Sequence, residues 1–434
     1  AGARVAGATT AVTLAIETDS TGGTLFGALT KNAVNGIATF DSLAIDRPGA
    51  GYTLSATAAG LTAATSAAFS IHLTFTAVST AFYHACGVTA AHAAYCWGAN
   101  YEAEFGTGTP SHSPTPVAVS GGLAFSAMST GGFYGCGVTT SDTAYCWGQN
   151  NDGDLGTGLT SNSTTPLPVA GGLSFAAISA SLGTYSYAGG SHSRTCALTN
   201  AGTAYCWGDN FDGELGTSDT VHRTTPAAVS GGLTFGTVTA GGFHSCGLTT
   251  AGAAYCWGDN TYGQLGRGDT ISSTIPVAVS GGLTFAALRA GGLFTCGVAV
   301  AGAAYCWGDN RDGELGTGDT IRSVSPVAVS GGLTFSSVSP GRNHACALTI
   351  TGAAYCWGSN DNAKLGNGEY GLAGYSLVPR AVAGGLTFVA VSAGGYLSCA
   401  VTSTGAAYCW GDNIDGELGN GGGSSSAVPV RVVH

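Results

Sequence analysis

Residues Gly231–Ser280 read GGLTFGTVTAGGFHSCGLTTAGAAYCWGDNTYGQLGRGDTISSTIPVAVS. Four short runs rich in β-branched and aromatic residues stand out: Leu233–Val238, Phe243–Thr249, Ala253–Trp257 and Pro276–Val279. Runs of this length, bounded by Gly, Asn, Asp and Ser, read as strands. Between the second and third lies Thr250-Ala251-Gly252, a three-residue link with glycine last. That suits a type I turn followed by a left-handed residue. A hairpin centred on Ala251 sets Cys246 opposite Cys256. Counting outward from the closing pair, this is a non-hydrogen-bonded position, where Cα atoms approach most closely. A disulfide can span that gap without moving the backbone.

The unit recurs along the chain. The Trp-Gly step appears at Trp97, Trp147, Trp207, Trp257, Trp307, Trp357 and Trp410, at intervals of 50, 60, 50, 50, 50 and 53 residues. All fourteen cysteines pair at one spacing: Cys86 with Cys96, Cys136 with Cys146, Cys196 with Cys206, Cys246 with Cys256, Cys296 with Cys306, Cys346 with Cys356 and Cys399 with Cys409. Metal sites usually bring cysteines two to four residues apart, often with His. Seven regular pairs with no leftover thiol predict disulfides and an oxidising compartment. Seven four-stranded units closed into a ring make a β-propeller, which leaves only short protected edges. We therefore expect an all-β chain whose residues 73–434 form a seven-bladed β-propeller with one disulfide inside each blade. Tyr255 and Trp257 should share one strand face and pack between blades, with Cys256 on the other face.

The run AYCWGDN-xx-GELG-TGDT, as in residues 304–320, follows runs of the form GG-x-H-x-CGLT-xx-G, as in residues 241–252. Together they resemble the regulator of chromosome condensation repeat, a seven-bladed propeller family, over about residues 73–434. The cysteine pair in every blade is a departure that marks an extracellular branch. The family's namesake is a nuclear exchange factor for a small GTPase bound to chromatin. That activity is not expected here, because the chain lacks a basic tail and any insertion matching an exchange element. Membership of a fold family gives the fold and not the activity.

Residues 1–72 carry no Cys and no Trp and read as a separate unit. Strand-like runs are Val12–Glu17, Thr24–Leu29, Ile37–Ile45, Tyr52–Ala58 and Ser66–Ile71. The stretch NGIATFDSLAIDRPGAGYTLSATAAGLTAATSAAFSI, residues 35–71, resembles bacterial immunoglobulin-like repeats of cell-surface proteins. Such sandwiches need about seven strands, so the unit reads as an incomplete immunoglobulin-like β-sandwich. Another chain could supply the missing strand by donor-strand complementation. Alternatively, Ala1 is an artificial boundary, or the missing strands do not exist. The opening at Ala1, with no Met and no signal-peptide pattern, suggests a mature or excised form.

Composition narrows the function. The net charge is −11, and Lys31 and Lys364 are the only lysines. Binding a phosphate backbone needs clustered Lys and Arg, so nucleic acid is not an expected partner. No apolar run reaches the roughly 18 residues of a membrane span. Of 24 acidic residues, nineteen fall in the loops after the Trp-Gly steps, between the third and fourth strands. In an antiparallel blade those loops emerge on the same face as the links between first and second strands. The two insertions also fall there, around Ser181–Ser191 with Tyr185 and Tyr187, and near Glu369–Leu377. This acidic face is the expected recognition surface for a basic protein or for cations. Its candidate residues are Asp209, Asp212, Glu214, Asp309, Asp312, Glu314, Asp412, Asp415, Glu417, Tyr185 and Tyr187.

No cofactor, metal site or catalytic residue is expected. The DN-x-DGELG runs carry oxygen ligands that would suit calcium, but Gly208 stands where the first ligand should be. Turns in which Asp and Asn bond their own backbone are the preferred reading. His84, His244 and His344 stand two residues before a cysteine, where other blades carry Tyr134, Arg194, Phe294 and Leu397. Packing beside the disulfide suits that variation. Asp212 and Glu214 lie close, yet the pattern repeats in three blades, and a single active site usually breaks repeat symmetry. The expectation is a non-enzymatic structural subunit of an extracellular bacterial filament or surface layer, self-associating or joined to another surface protein through the first unit. The alternative is a secreted recognition module, an adhesin or protein inhibitor, using the acidic face.

Overall fold

The computed structural model describes residues 5–19, 22–45, 49–183, 192–370 and 374–433. The chain divides into a first unit, made of the residues up to Leu73 together with Val433, and a second that runs from Thr74 to Val432.

The second unit is seven antiparallel four-stranded sheets taken in sequence order. Blade 1 is Phe75–Thr80, His84–Thr89, Ala94–Gly98 and Ser113–Ala118; blade 7 is Ala390–Ala393, Leu397–Val401, Ala407–Gly411 and Ser426–Arg431. Blade 4 comprises Phe235–Ala240, His244–Thr249, Ala254–Gly258 and Ser273–Ala278. Its first strand starts two residues later than the sequence suggests, and its fourth starts at Ser273 rather than Pro276. The fourth strand pairs Gly258 with Ser273 across a register shift beside Cys256. It is the outermost strand of its blade, where a proline without an N–H is tolerated.

The first strands of neighbouring blades are tied by hydroxyls. Ser79, Ser129, Ser179, Ser339 and Ser392 Oγ accept the N–H of Thr130, Ala180, Ala240, Ala393 and Thr80, at 2.9–3.0 Å. Thr239 Oγ1 accepts from Ala290 at 3.3 Å. The step from blade 5 to blade 6 departs from this pattern on both sides: Arg289 replaces the hydroxyl, and Pro340 has no N–H to offer. The Thr80–Ser392 bond joins blade 7 to blade 1, so the ring closes by the device used between other blades. Each terminal blade takes all four of its strands from consecutive sequence.

All seven expected cysteine pairs form disulfides between second and third strands. Cys86 bonds Cys96, Cys136 bonds Cys146, Cys196 bonds Cys206 and Cys246 bonds Cys256. Cys296 bonds Cys306, Cys346 bonds Cys356 and Cys399 bonds Cys409. Their Cα atoms lie 4.0–4.1 Å apart, the close approach of a non-hydrogen-bonded pair. Each blade interface then repeats one packing scheme. Trp257 packs in a buried cluster with Cys196, Cys206, Leu215 and Phe235, and Trp307 with Cys246, Cys256, Leu265 and Phe285. Trp357 and Trp410 cover the bridges of Cys306 and Cys356 in the same way. The tryptophan of one blade thus covers the disulfide of the blade before it, as the alternation of Tyr255, Cys256 and Trp257 predicts.

The first unit holds a sheet in the order Thr30–Asn32, Ala11–Thr18, Gly49–Ala58 and Ala64–Thr65, with Phe69–Ile71 also paired to Gly49–Ala58. A separate ladder joins Leu25–Phe26 to Ala44–Ile45. The expected strand Ile37–Ile45 is therefore corrected to its last two residues. Gly27, at φ +114°, ends the run expected to reach Leu29, and an added Cβ there would press on the Ser42 carbonyl. Among the described apolar side chains of this unit only Ala33 and Tyr52 are buried. Val12, Leu14 and Ile16, on one face of their strand, stay half-buried.

Candidate functional site

The loops between third and fourth strands are organised by a buried asparagine. In blade 5, Asn310 Oδ1 accepts the N–H of Leu315 at 2.9 Å. Its Nδ2 donates to the carbonyls of Asp319 and Ile321, at 3.0 and 3.1 Å. Asn100, Asn150, Asn210, Asn260 and Asn413 make the same three bonds, and Asn360 makes two of them. Asn310→Ala should cost about 1–3 kcal/mol for each buried group left without a partner. A lowered urea midpoint, with the native circular dichroism spectrum retained, checks this.

Four residues beyond each asparagine stands a second buried position, held by Glu104, Asp154, Glu214, Gln264, Glu314, Lys364 and Glu417. In five of the seven its carbonyl takes the indole N–H of the next blade, as Glu104 O does from Trp147 at 2.7 Å and Glu314 O from Trp357 at 2.8 Å. In blade 4 the Gln264 side chain accepts from Tyr262 N at 2.9 Å and donates to Asp259 at 2.7 Å. Glu214, Glu314 and Glu417 accept the equivalent N–H from Asp212, Asp312 and Asp415. An ionised glutamate has no proton to give the neighbouring aspartate, and burial pushes these carboxyls up: Glu104 to about 8, and Glu214, Glu314 and Glu417 to about 7. Asp154 is raised well above the usual range by the same cause.

The acidic face is therefore thinner than the sequence count suggests. Asp209, Asp309 and Asp412, with Glu214, Glu314 and Glu417, are largely buried in their own loops, and of these only Asp309 and Glu314 reach the wall of a depression. The turn chemistry needs their oxygens inward. Asp212 is exposed, and Asp312 and Asp415 are half-exposed. Tyr185 and Tyr187 lie outside the described residues, as does the Ser181–Ser191 insertion from position 184 onward.

Two adjoining depressions, divided by Arg342 and Tyr396, open among these loops and the links between first and second strands. One, of about 580 Å³, is lined by Phe82, Tyr83, Tyr101, Phe133 and Tyr396 with Glu102 and Asp415. The other, of about 750 Å³, is lined by His192, Phe243 and Leu293 with Asp309, Arg311 and Asp312. The Tyr83 and Tyr396 rings stack at 5.1 Å. Burial, reinforced by the Tyr396 hydroxyl, pushes the Tyr83 phenol up to about 12. Arg342 donates to the Tyr396 hydroxyl at 2.7 Å and lies over the Phe82 ring. Tyr83, Phe133, Phe243, Leu293 and Tyr396 come from the position three residues before each first cysteine, held in the other blades by Ser193 and Asn343, while Phe82, His192 and Arg342 stand one residue earlier. Their variation around the ring makes the depression asymmetric.

His84, His244 and His344 are buried beside the disulfides, and burial pushes His84 and His244 down to about 3. His244 Nε2 meets Thr295 Oγ1 at 2.7 Å, and His344 Nε2 meets Ser398 Oγ at 2.8 Å, both in the next blade. Arg194, at the equivalent place in blade 3, is fully buried and donates to the carbonyls of Gly241, Gly242 and His244.

The regulator of chromosome condensation (RCC1) repeat model matches residues 141–188, 201–248, 251–298, 301–348 and 351–401, more than half of the chain. The chain belongs to the RCC1-repeat family. A second model of the repeat matches 187–214, 237–264, 335–363 and 388–417. No curated protein matches the chain by sequence. Among solved structures, human WBSCR16 is similar at 21% identity and TM-score 0.69, covering 79% of this chain and 95% of its own. Prp20p of Saccharomyces cerevisiae is similar at 20% and 0.67, covering 83% and 88%. The ectodomain of the Physcomitrella patens receptor kinase CR4 is similar at 22% and 0.51, covering 79% and 74%. At these identities the likeness concerns the fold. The RCC1-like propeller here carries seven disulfides, which fit an oxidising environment. Among the described residues no helix is long and apolar enough to cross a membrane.

Proposed function

We propose that the chain is a non-enzymatic recognition module of the extracellular space or cell surface, taking a basic protein segment on its loop face. The observation that carries this is the asymmetric depression, with stacked aromatic rings on one side and Asp312, Asp415 and Glu102 around it. Aromatic faces and carboxylates together suit lysine and arginine side chains, through cation–π and ionic contacts. Exposed apolar side chains at the loop tips, Tyr101, Phe211, Ile321 and Ile414, add the contact area a protein partner needs. The yeast relative Prp20p is described with binding properties to Gsp1p and histones; docking of proteins by a propeller of this family is the behaviour inferred here. The fourteen cysteines are all oxidised, which removes the thiol nucleophile, and the repeated carboxylates serve their loops.

The test is binding of the full chain to arrayed lysine- and arginine-rich peptides and to acidic controls, at low and high salt. Salt-sensitive binding to basic peptides is expected, lost in a variant of unchanged fold that combines Tyr83→Ala with Tyr396→Ala. Equal binding to acidic peptides, or no effect of the variant, would overturn the reading.

A second reading rests on the first unit. The half-buried Val12, Leu14 and Ile16 present an apolar strand face that a strand from another copy or another surface protein would cover, making the chain a structural subunit of an extracellular bacterial assembly. Electron microscopy of native material should then show filaments or rings; only isolated particles at high concentration would exclude it.

A further inference from the structure

Blade 3 breaks the repeat at one cluster. At the position of His192 the other blades carry Phe82, Gly132, Gly242, Gly292, Arg342 and Gly395. His192 Nδ1 lies 3.0 Å from Asp209 Oδ2, and His222 Nδ1 lies 3.1 Å from Asp209 Oδ1. Ligand atoms of His192, Asp209 and Glu214 all fall within 4.8 Å of one another. Glu214 and Asp209 are buried, and Glu214 Oε1 has no hydrogen-bond partner. Among the described residues no other set of three such ligand groups converges.

Other blades satisfy the equivalent aspartate differently. Asp259 takes the Gln264 amide at 2.7 Å, Asp309 the Arg311 guanidinium at 2.7 Å, and Asp412 the Ser425 hydroxyl at 3.1 Å. Asp209 has instead two imidazoles and an unpartnered carboxylate oxygen beside it. The Phe211 ring lies against both imidazoles, at 6.3 and 5.9 Å, and limits their directions.

We propose that His192, Asp209 and Glu214 bind one divalent transition-metal ion of the zinc class, and that His222, which touches Asp209 and is 42% exposed, swings in as fourth ligand when the ion binds. Imidazole nitrogen beside two carboxylates suits zinc better than calcium or magnesium, which take oxygen ligands. With His222 drawn in, four protein ligands close a tetrahedron, so the ion is structural. It pins the residues before Arg194–Thr199 to the loop after Trp207, on the wall of the larger depression. Blade 3 alone carries histidine at both ligand positions; blade 1 has His112 at the second but Phe82 at the first. The signal in the sequence is therefore a departure from the repeat, and not the repeat itself.

The experiment uses the full chain, stripped with chelator and dialysed against zinc chloride, with bound metal counted by mass spectrometry. One zinc per chain is expected. Loss of a ligating imidazole in His192→Gln should weaken binding by more than the roughly 10–100-fold seen when only a supporting group is lost. Glu214→Gln should weaken it while keeping the fold, because glutamine already occupies that position in blade 4. His112→Gln, which removes the pair His112–Asp415 in blade 1, should change nothing. No zinc uptake by the stripped chain, or uptake unaltered by both His192→Gln and Glu214→Gln, would overturn the proposal.

Discussion

Full reduction of the seven disulfides should unfold the propeller. Each bridge closes a loop between residues ten apart in sequence, and loop closure of that size contributes about 2–3 kcal/mol. Seven such terms together match or exceed the roughly 5–15 kcal/mol by which folded domains are usually stable. The cysteines are fully buried under the tryptophan of the next blade, so a reductant can reach them only when a blade opens. In buffer alone, a thiol reductant should leave the circular dichroism spectrum unchanged for hours. At urea concentrations that the oxidised chain withstands, the same reductant should give an unfolded chain with fourteen titratable thiols. A chain shown to be fully reduced that kept its native spectrum and urea midpoint would refute the argument. Removal of the single bridge between Cys296 and Cys306, by alanine at both positions, should lower stability by about 2–3 kcal/mol. The fold should not change, because the Trp357 interface remains packed.

The features that carry this prediction were legible in the sequence because they recur. A fixed Cys–Cys spacing around a three-residue link determines the hairpin register, and alternation within Tyr255-Cys256-Trp257 determines which face meets which blade. The asparagine that organises each loop is equally legible, as the residue that, with Asp, bonds its own backbone in the DN-x-DGELG turns. It persists at Asn100, Asn150 and Asn360, where the residue before it changes to Ala99, Gln149 and Ser359. What the sequence could not reveal was the direction in which the loop acids point. A carboxylate in a glycine-rich turn looks solvent-facing, yet the turn needs an acceptor for the N–H two residues earlier, and that need draws Glu214, Glu314 and Glu417 inward. The Ile37–Ile45 run failed for a different reason. It is entered through the positive-φ pair Asn35–Gly36, and the Ser42 carbonyl closely approaches Gly27, also at positive φ, a conformation that alternation does not report.

Stability should peak on the mildly acidic side of neutrality and fall as pH rises from about 6.5 to 8. The folded chain holds Glu104, Glu314 and Glu417 protonated up to about 8, 7 and 7, against an ordinary value of 4.5. Between those limits the folded state binds more protons than the unfolded state, so stability falls with rising pH. The contribution is fully present below about 4.5 and lost as pH passes through the folded values. The buried histidines act in the opposite direction. His84 and His244, held down to about 3 from 6.5, stay neutral while the unfolded chain protonates, so stability falls as pH drops below 6.5. Between about 4.5 and 6.5 the two sets oppose each other, and above 6.5 the carboxyls act without opposition from the histidines. Each pKa unit is worth about 1.4 kcal/mol, which makes the loss by pH 8 several kcal/mol for the three carboxyls together. Glutamine supplies permanently the proton that a buried glutamic acid must borrow, as Gln264 does for Asp259. A triple variant combining Glu104→Gln, Glu314→Gln and Glu417→Gln should therefore match the parent near pH 5 and exceed it at pH 8. Urea midpoints across pH 4–9 decide it. A parent curve that rises from pH 6.5 to 8, or a variant with the parent's slope there, would mean that these carboxyls are ionised in the folded loops.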